Sequence, residues 1–73
     1  METEVTFSEI LEDFLIEKNL SQSAFAQTIG VKQSQVSEWL HGKAKPGYDI
    51  LRRMSLVYGI SADYFLGLTI NIK

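Results

Sequence analysis

The chain has 73 residues and no cysteine, which limits it to one small domain with neither disulfides nor thiolate-held zinc. Its hydrophobic share of 45% is that of a folded chain, and its formal net charge of −2 leaves no uniformly basic surface. The start, METEVTFSEI, has neither the basic flank nor the apolar run of a signal peptide or membrane span, so a cytoplasmic protein is expected.

Helix signals then recur along the chain. Thr6 and Glu9 fit a capping box, with Val5 and Ile10 at the positions of a hydrophobic staple. Phe7, Ile10, Leu11, Phe14 and Leu15 form one apolar stripe at helical spacing. Asn19 suits the left-handed residue past a helix end, and Leu20 can fold back on Leu15 in a Schellman motif. A first helix over about residues 6–18 follows. Ser21 caps a second helix, with Leu20 and Phe25 as its staple pair, Phe25, Ala26 and Ile29 inward, and Gly30 ending it. A third helix is expected over about 33–41, burying Val36 and either Leu40 or Trp39, and ending at Gly42.

The single proline, Pro46, lies in the loop HGKAKPG, residues 41–47. Tyr48 to Tyr58 reads as a fourth helix with Leu51, Met54 and Tyr58 inward, stopped by Gly59. Ser61 caps a short fifth helix stapled by Ile60 and Phe65 and closed by Gly67. The tail LTINIK alternates apolar and polar residues, as a short strand or as an end with one side chain tucked in. The predicted fold is all-α: one domain over 1–73, with five helices in a core of about 6–67 and a tail at 68–73.

A capped helix, a glycine turn and a second short helix over residues 21–41 have the geometry of a helix-turn-helix. Ala26 is small where the two helices approach, Gly30 supplies the positive φ of the turn, and Val36 anchors the second helix. The exposed positions of that helix are Lys32, Gln33, Ser34, Gln35, Ser37 and Glu38. Such a polar, mostly uncharged face suits base edges, because glutamine can bond adenine bidentately and serine can donate or accept. Lys32 adds a cation there. The charges are distributed accordingly. Glu2, Glu4, Glu9, Glu12, Asp13 and Glu17 stand without a base in residues 1–17, whereas Lys18, Lys32, Lys43, Lys45, Arg52 and Arg53 outnumber Glu38 and Asp49 in residues 18–53. An acidic end and a basic middle fit a protein whose middle faces phosphate. The acids also serve simply to solvate an exposed helix.

The stretches SAFAQTIGVKQSQVSEWLHGK, KPGYDILRRM and GISADYFLG, in that order and spacing, resemble the lambda-repressor-like, or Cro/XRE-type, helix-turn-helix domain over about residues 8–67. The resemblance implies five helices, the third lying in the DNA major groove, and binding as a symmetric dimer to a pseudo-palindromic site. It places Gln33, Ser34, Gln35 and Glu38 where family members read bases, and Gln22, Lys43 and Lys45 where they grip the phosphate backbone. It implies a transcriptional regulator, a repressor of bacterial or phage type. The chain departs from the family pattern in Lys32, where Ser or Thr usually caps the third helix, in Glu38, where a base is common, and in Leu40, where Glu is frequent. Leu40 is therefore expected to be exposed.

His41 is the only histidine and has no partners at ligand spacing, so no metal or cofactor is expected; the serines and aspartates read as caps rather than as a nucleophile with its base, so no enzyme is expected either. Trp39 is expected at the core edge, and Arg52 and Arg53 are open to salt pairing or to distant phosphate contact. The rival reading is a protein-binding modulator, gripping another repressor or a toxin through acidic helix one, Glu38 and Leu40. A homodimer would have to form through helix five and the tail, with Tyr64, Leu68 and Ile70 as contacts.

Overall fold

The computed structural model describes residues 6–67. Five helices follow in chain order: α1 (Phe7–Lys18), α2 (Gln22–Ile29), α3 (Gln33–Leu40), α4 (Tyr48–Tyr58) and α5 (Ala62–Phe65). No strand occurs among the described residues. The tail at 68–73, and Val5 with its expected staple to Ile10, lie outside them.

Helix ends fall where the sequence signals them. The Thr6 hydroxyl accepts from the Glu9 N–H and the Glu9 carboxylate accepts from the Thr6 N–H, each at 3.2 Å, completing the capping box. Asn19 turns left-handed at φ 56°, and the Leu20 N–H donates to the Leu15 carbonyl at 2.8 Å, the Schellman closure. The Ser21 hydroxyl accepts from the Ala24 N–H at 3.0 Å, and the Ser61 hydroxyl accepts from Asp63 at 3.1 Å. α3 stops in regular geometry at Leu40, but its hydrogen-bonded turn runs on: the Lys43 N–H reaches the Glu38 carbonyl at 2.9 Å around Gly42.

α1 packs on α3 and α5, α2 on α3 and α4, and α4 on α5. The core between them is built on Leu11, Phe14, Phe25, Ile29, Val36, Met54 and Phe65, all fully buried. Phe14 is its hub. Its ring meets Tyr58, Phe65 and Phe25 edge-on, at centroid distances of 5.2, 5.3 and 6.0 Å, and Tyr58 stacks on Phe25 at 5.7 Å. Phe7, the other phenylalanine of α1, is half-buried and meets Trp39 edge-on at 6.3 Å.

Two expectations about α3 need correcting. Trp39 is not at the core edge but buried, with 3% of its surface exposed, because Phe7 of α1 lies across it. Leu40 is not exposed but half-buried against the core. It follows Val36 by one helical turn and so shares the inward side of α3, beside Leu15 and Leu20.

Tyr64 of α5 is half-buried with its ring 5.4 Å from that of Phe65. Burial raises its phenol above the ordinary value of 10.0, and the negative charges of Asp13 and Glu17 on α1 raise it further. The folded chain therefore holds this proton more tightly than the unfolded chain. The stability it contributes is complete below about pH 10 and is lost as the pH climbs through the higher folded value. Urea unfolding at successive pH values should show this alkaline loss in the parent chain and a smaller one in Tyr64→Phe; equal losses would dismiss Tyr64 as the group responsible.

Candidate nucleic-acid interface

The turn between α2 and α3 is built from backbone needs. Gly30 takes φ 76°, and the Val31 N–H donates to the Ala26 carbonyl at 2.9 Å, so the chain reverses while the last carbonyls of α2 stay satisfied. A second device closes the same helix end. Arg53 of α4 donates from Nη1 to the Ile29 carbonyl at 2.8 Å, placing a cation at the negative end of α2. Its guanidinium is a tertiary helix cap, a use that depends on α4 crossing α2 and leaves no mark in local sequence.

α3 is held at its other end as well. Ser8 of α1 donates from Oγ to the Trp39 carbonyl at 2.7 Å. His41 lies with Nδ1 2.7 Å from the Ser37 carbonyl, so Nδ1 carries the proton and donates there. His41 is thus an exposed C-terminal cap, and neither Ser8 nor His41 was legible as one.

At the N-terminus of α3 the geometry is half-capped. The Lys32 side chain is a cation with no lone pair to offer, and no side chain accepts from the first-turn N–H groups. Gln35 reaches back instead, its Oε1 accepting from the Lys32 N–H at 3.1 Å. The amide N–H groups of Gln33 and Ser34 are left pointing out of a helix N-terminus, an arrangement suited to an anion. Lys32→Ser would supply a hydroxyl acceptor at the N-cap, for the free Ser34 N–H or for the Gln35 N–H, which now donates to the Lys32 carbonyl at 3.0 Å. It should add about 1 kcal/mol of stability, read as a higher melting temperature, while removing a cation from this end of α3.

Among the residues expected to read bases, Gln33, Ser34, Gln35 and Glu38 are exposed. Gln33 and Ser34 stand in the first turn with their side chains uncommitted among the described hydrogen bonds, whereas the Oε1 of Gln35 is engaged with Lys32. Ser37 is half-buried, with Oγ 3.5 Å from the His41 ring. Among the residues expected at phosphates, Lys32, Lys43 and Lys45 are exposed and Gln22 is half-buried. The fold does not gather these into one cluster. Gln22, first residue of α2, comes beside Leu40 and His41 at the end of α3. Lys45 comes beside Thr6 and Ser8 at the start of α1. Lys32 sits at the opposite end of α3, roughly 12 Å along its axis. The set is therefore a spread of single polar and basic side chains, with no group of His, Asp or Glu able to hold a metal among the described residues.

The family described as "Helix-turn-helix" matches residues 11–65, from α1 to the last residue of α5. The chain belongs to the Cro/C1-type helix-turn-helix family. Solved structures of similar shape accord with that. The DNA-binding domain of the P22 C2 repressor superposes with a TM-score of 0.82 at 21% identity, over 96% of this chain and 95% of that one. A transcriptional regulator from Listeria innocua gives 0.76 at 22% identity, over 97% of this chain and 64% of that one. A hypothetical protein from E. coli gives 0.76 at 22%, over 90% of this chain and 68% of that one. No curated protein matches the chain in sequence. The helix-turn-helix of this Cro/C1-type domain is accordingly α2, the Gly30 turn and α3. No helix of the described residues is long and apolar enough to cross a membrane.

Proposed function

We propose that this domain is a sequence-specific regulator of transcription, a repressor of bacterial, phage or prophage type, that lays α3 in the major groove of double-stranded DNA. The observation that carries the reading is the start of α3. An exposed helix end, on a helix tied to α1 at its far end and joined through the Gly30 turn to an α2 that Arg53 of α4 caps, offers uncommitted Gln33 and Ser34 side chains together with unblocked backbone donors. Gln33 has the donor–acceptor pair that matches an adenine edge, Ser34 can donate or accept, and Glu38 can accept from a cytosine amino group. Gln35 and Ser37 complete the base-facing set, Gln35 after releasing Lys32. Gln22, Lys32, Lys43 and Lys45 hold phosphates and fix the register without reading sequence. A symmetric dimer formed through α5 and the residues after it, with Tyr64, Leu68 and Ile70 in contact, would match a two-fold operator. Leu66, 55% exposed at the end of α5, supports that surface.

Selection of binding sites from a randomised duplex pool, followed by mobility-shift titrations at two salt concentrations, tests the proposal. Gln33→Ala should lose about 1–3 kcal/mol of discrimination at one base pair. Lys43→Ala should weaken all sequences alike and flatten the salt dependence by about one counterion. Failure to enrich any site, with no binding by micromolar protein at low salt, would overturn the reading. Sedimentation as a monomer with and without the selected duplex would overturn the dimer.

A further inference from the structure

The one histidine of the chain closes α3 in a way that leaves half of its ring unused. Nδ1 of His41 lies 2.7 Å from the Ser37 carbonyl. A carbonyl only accepts, so Nδ1 keeps its proton and the neutral ring carries its lone pair on Nε2. Both hydrogen bonds of the ring among the described residues are at Nδ1, and the residue is exposed. The fold sets this ring beside Gln22, the first residue of α2, in a groove of about 550 Å³ that Glu12 of α1 also lines. α2 carries no charged side chain. On its own segment the ring has Glu38 three residues before it and Lys43 two residues after it, both exposed. Gln22 and Lys43 are two of the side chains assigned above to phosphates, and His41 lies between them, beside the first in space and two residues from the second in sequence.

We propose that His41 is a further phosphate contact, switched by a proton, so that the domain's hold on DNA strengthens as the pH falls. The inference rests on the reading of α3 as the helix that enters DNA. A duplex held by both Gln22 and Lys43 brings its backbone past His41. With Nδ1 committed to Ser37, the neutral ring turns a lone pair toward a phosphate oxygen, acceptor against acceptor. The imidazolium donates from Nε2 and keeps the Nδ1 bond as well. Histidine is the side chain that changes charge between about pH 5 and 8. A phosphate that favours the proton is by linkage favoured by it. Complex formation therefore takes up a proton, and the added affinity is present at the acid end and lost as the pH rises. Glu12, Glu38 and Lys43 act on the ring with or without DNA, so the phosphate is what distinguishes the two states.

Anisotropy titrations of the domain against a labelled duplex of the selected sequence, at about pH 5.5 and about pH 8 and at several salt concentrations, test this. The dissociation constant should fall about three- to tenfold at the acid pH, and the salt dependence should steepen by about one counterion. His41→Gln, neutral throughout, should show neither change. His41→Lys, charged throughout, should bind at the alkaline pH about as tightly as the parent does at the acid one. His41 is exposed, so both variants keep the fold. The salt dependence separates a contact from a cap. A charged ring that only steadied the end of α3 would raise the melting temperature and leave the salt slope unchanged. Equal affinities at the two pH values, a salt slope indifferent to pH, or an acid gain retained in His41→Gln would each overturn the proposal. Absence of binding at both pH values would overturn the DNA reading and this proposal with it, whereas binding that ignores pH would overturn this proposal alone.

Discussion

Replacing Phe14 with alanine should lower the melting temperature by more than about 15 °C and leave much of the chain unfolded at room temperature. Truncating a fully buried phenylalanine costs about 3–5 kcal/mol, through lost burial and the cavity left behind. A chain of this length has roughly 4–11 kcal/mol to lose, and each kcal/mol moves the midpoint of so small a domain by about 4–8 °C. Phe14 belongs at the severe end because its ring is the only one that meets Phe25, Tyr58 and Phe65 together. It thereby joins α1, α2, α4 and α5 through a single side chain. Phe7→Ala, which removes a half-buried ring meeting Trp39 alone among the aromatic pairs, should cost distinctly less. Thermal unfolding followed by circular dichroism orders the two. A Phe14→Ala midpoint within about 5 °C of the parent, or an inverted order, would refute the hub.

Much of this architecture is legible in the sequence because its determinants are local. A cap needs its acceptor within three residues, a staple spans five, and a left-handed closing residue must be Gly or Asn to be cheap. Thr6, Ser21 and Ser61, and Asn19, Gly30 and Gly59, therefore mark the ends of α1, α2, α4 and α5 as the structure has them. Burial on α3 is less legible. Val36, Trp39 and Leu40 fit two inward stripes a hundred degrees apart, and only the presence of Phe7 and Leu15 on either side shows that both are covered. The family resemblance misleads at this point, since an exposed residue is expected where Leu40 is half-buried. The candidate interface is legible to the level of residue type and no further. Gln33, Ser34 and Gln35 look equivalent in sequence, yet the reach of Gln35 back to Lys32 sets it apart. Ser8 and Arg53 were invisible as supports of α3 and α2, because each acts across more than twenty residues of chain.

That long-range support yields the second large effect. Gly30→Ala and Arg53→Met should each destabilise the domain, and together they should cost less than the sum of the two. Alanine at φ 76° costs about 1–2 kcal/mol on backbone grounds alone. Its Cβ would also lie 3.2 Å from Nη1 of Arg53, so the guanidinium must give way and its 2.8 Å bond to the Ile29 carbonyl lengthens. Arg53→Met keeps the apolar stem and removes that bond outright, at about 1–2 kcal/mol. Once Gly30→Ala has displaced the guanidinium, removing it costs less, and the double-mutant cycle should show a coupling of about 0.5–1 kcal/mol. Urea unfolding of the four proteins measures it. Additivity within about 0.3 kcal/mol would mean that Arg53 re-seats freely and does not brace the turn. The coupling bears on function because the Gly30 turn sets the angle between α2 and α3. A slackened turn moves Gln33 and Ser34 relative to Gln22, so Arg53→Met, with every proposed DNA contact intact, should weaken binding to a selected duplex beyond what loss of one exposed charge explains. Measuring Arg53→Lys beside it separates the two causes: lysine keeps the charge but lacks the planar fork that reaches the carbonyl. Equal affinities for Arg53→Lys and the parent would assign the residue to charge alone.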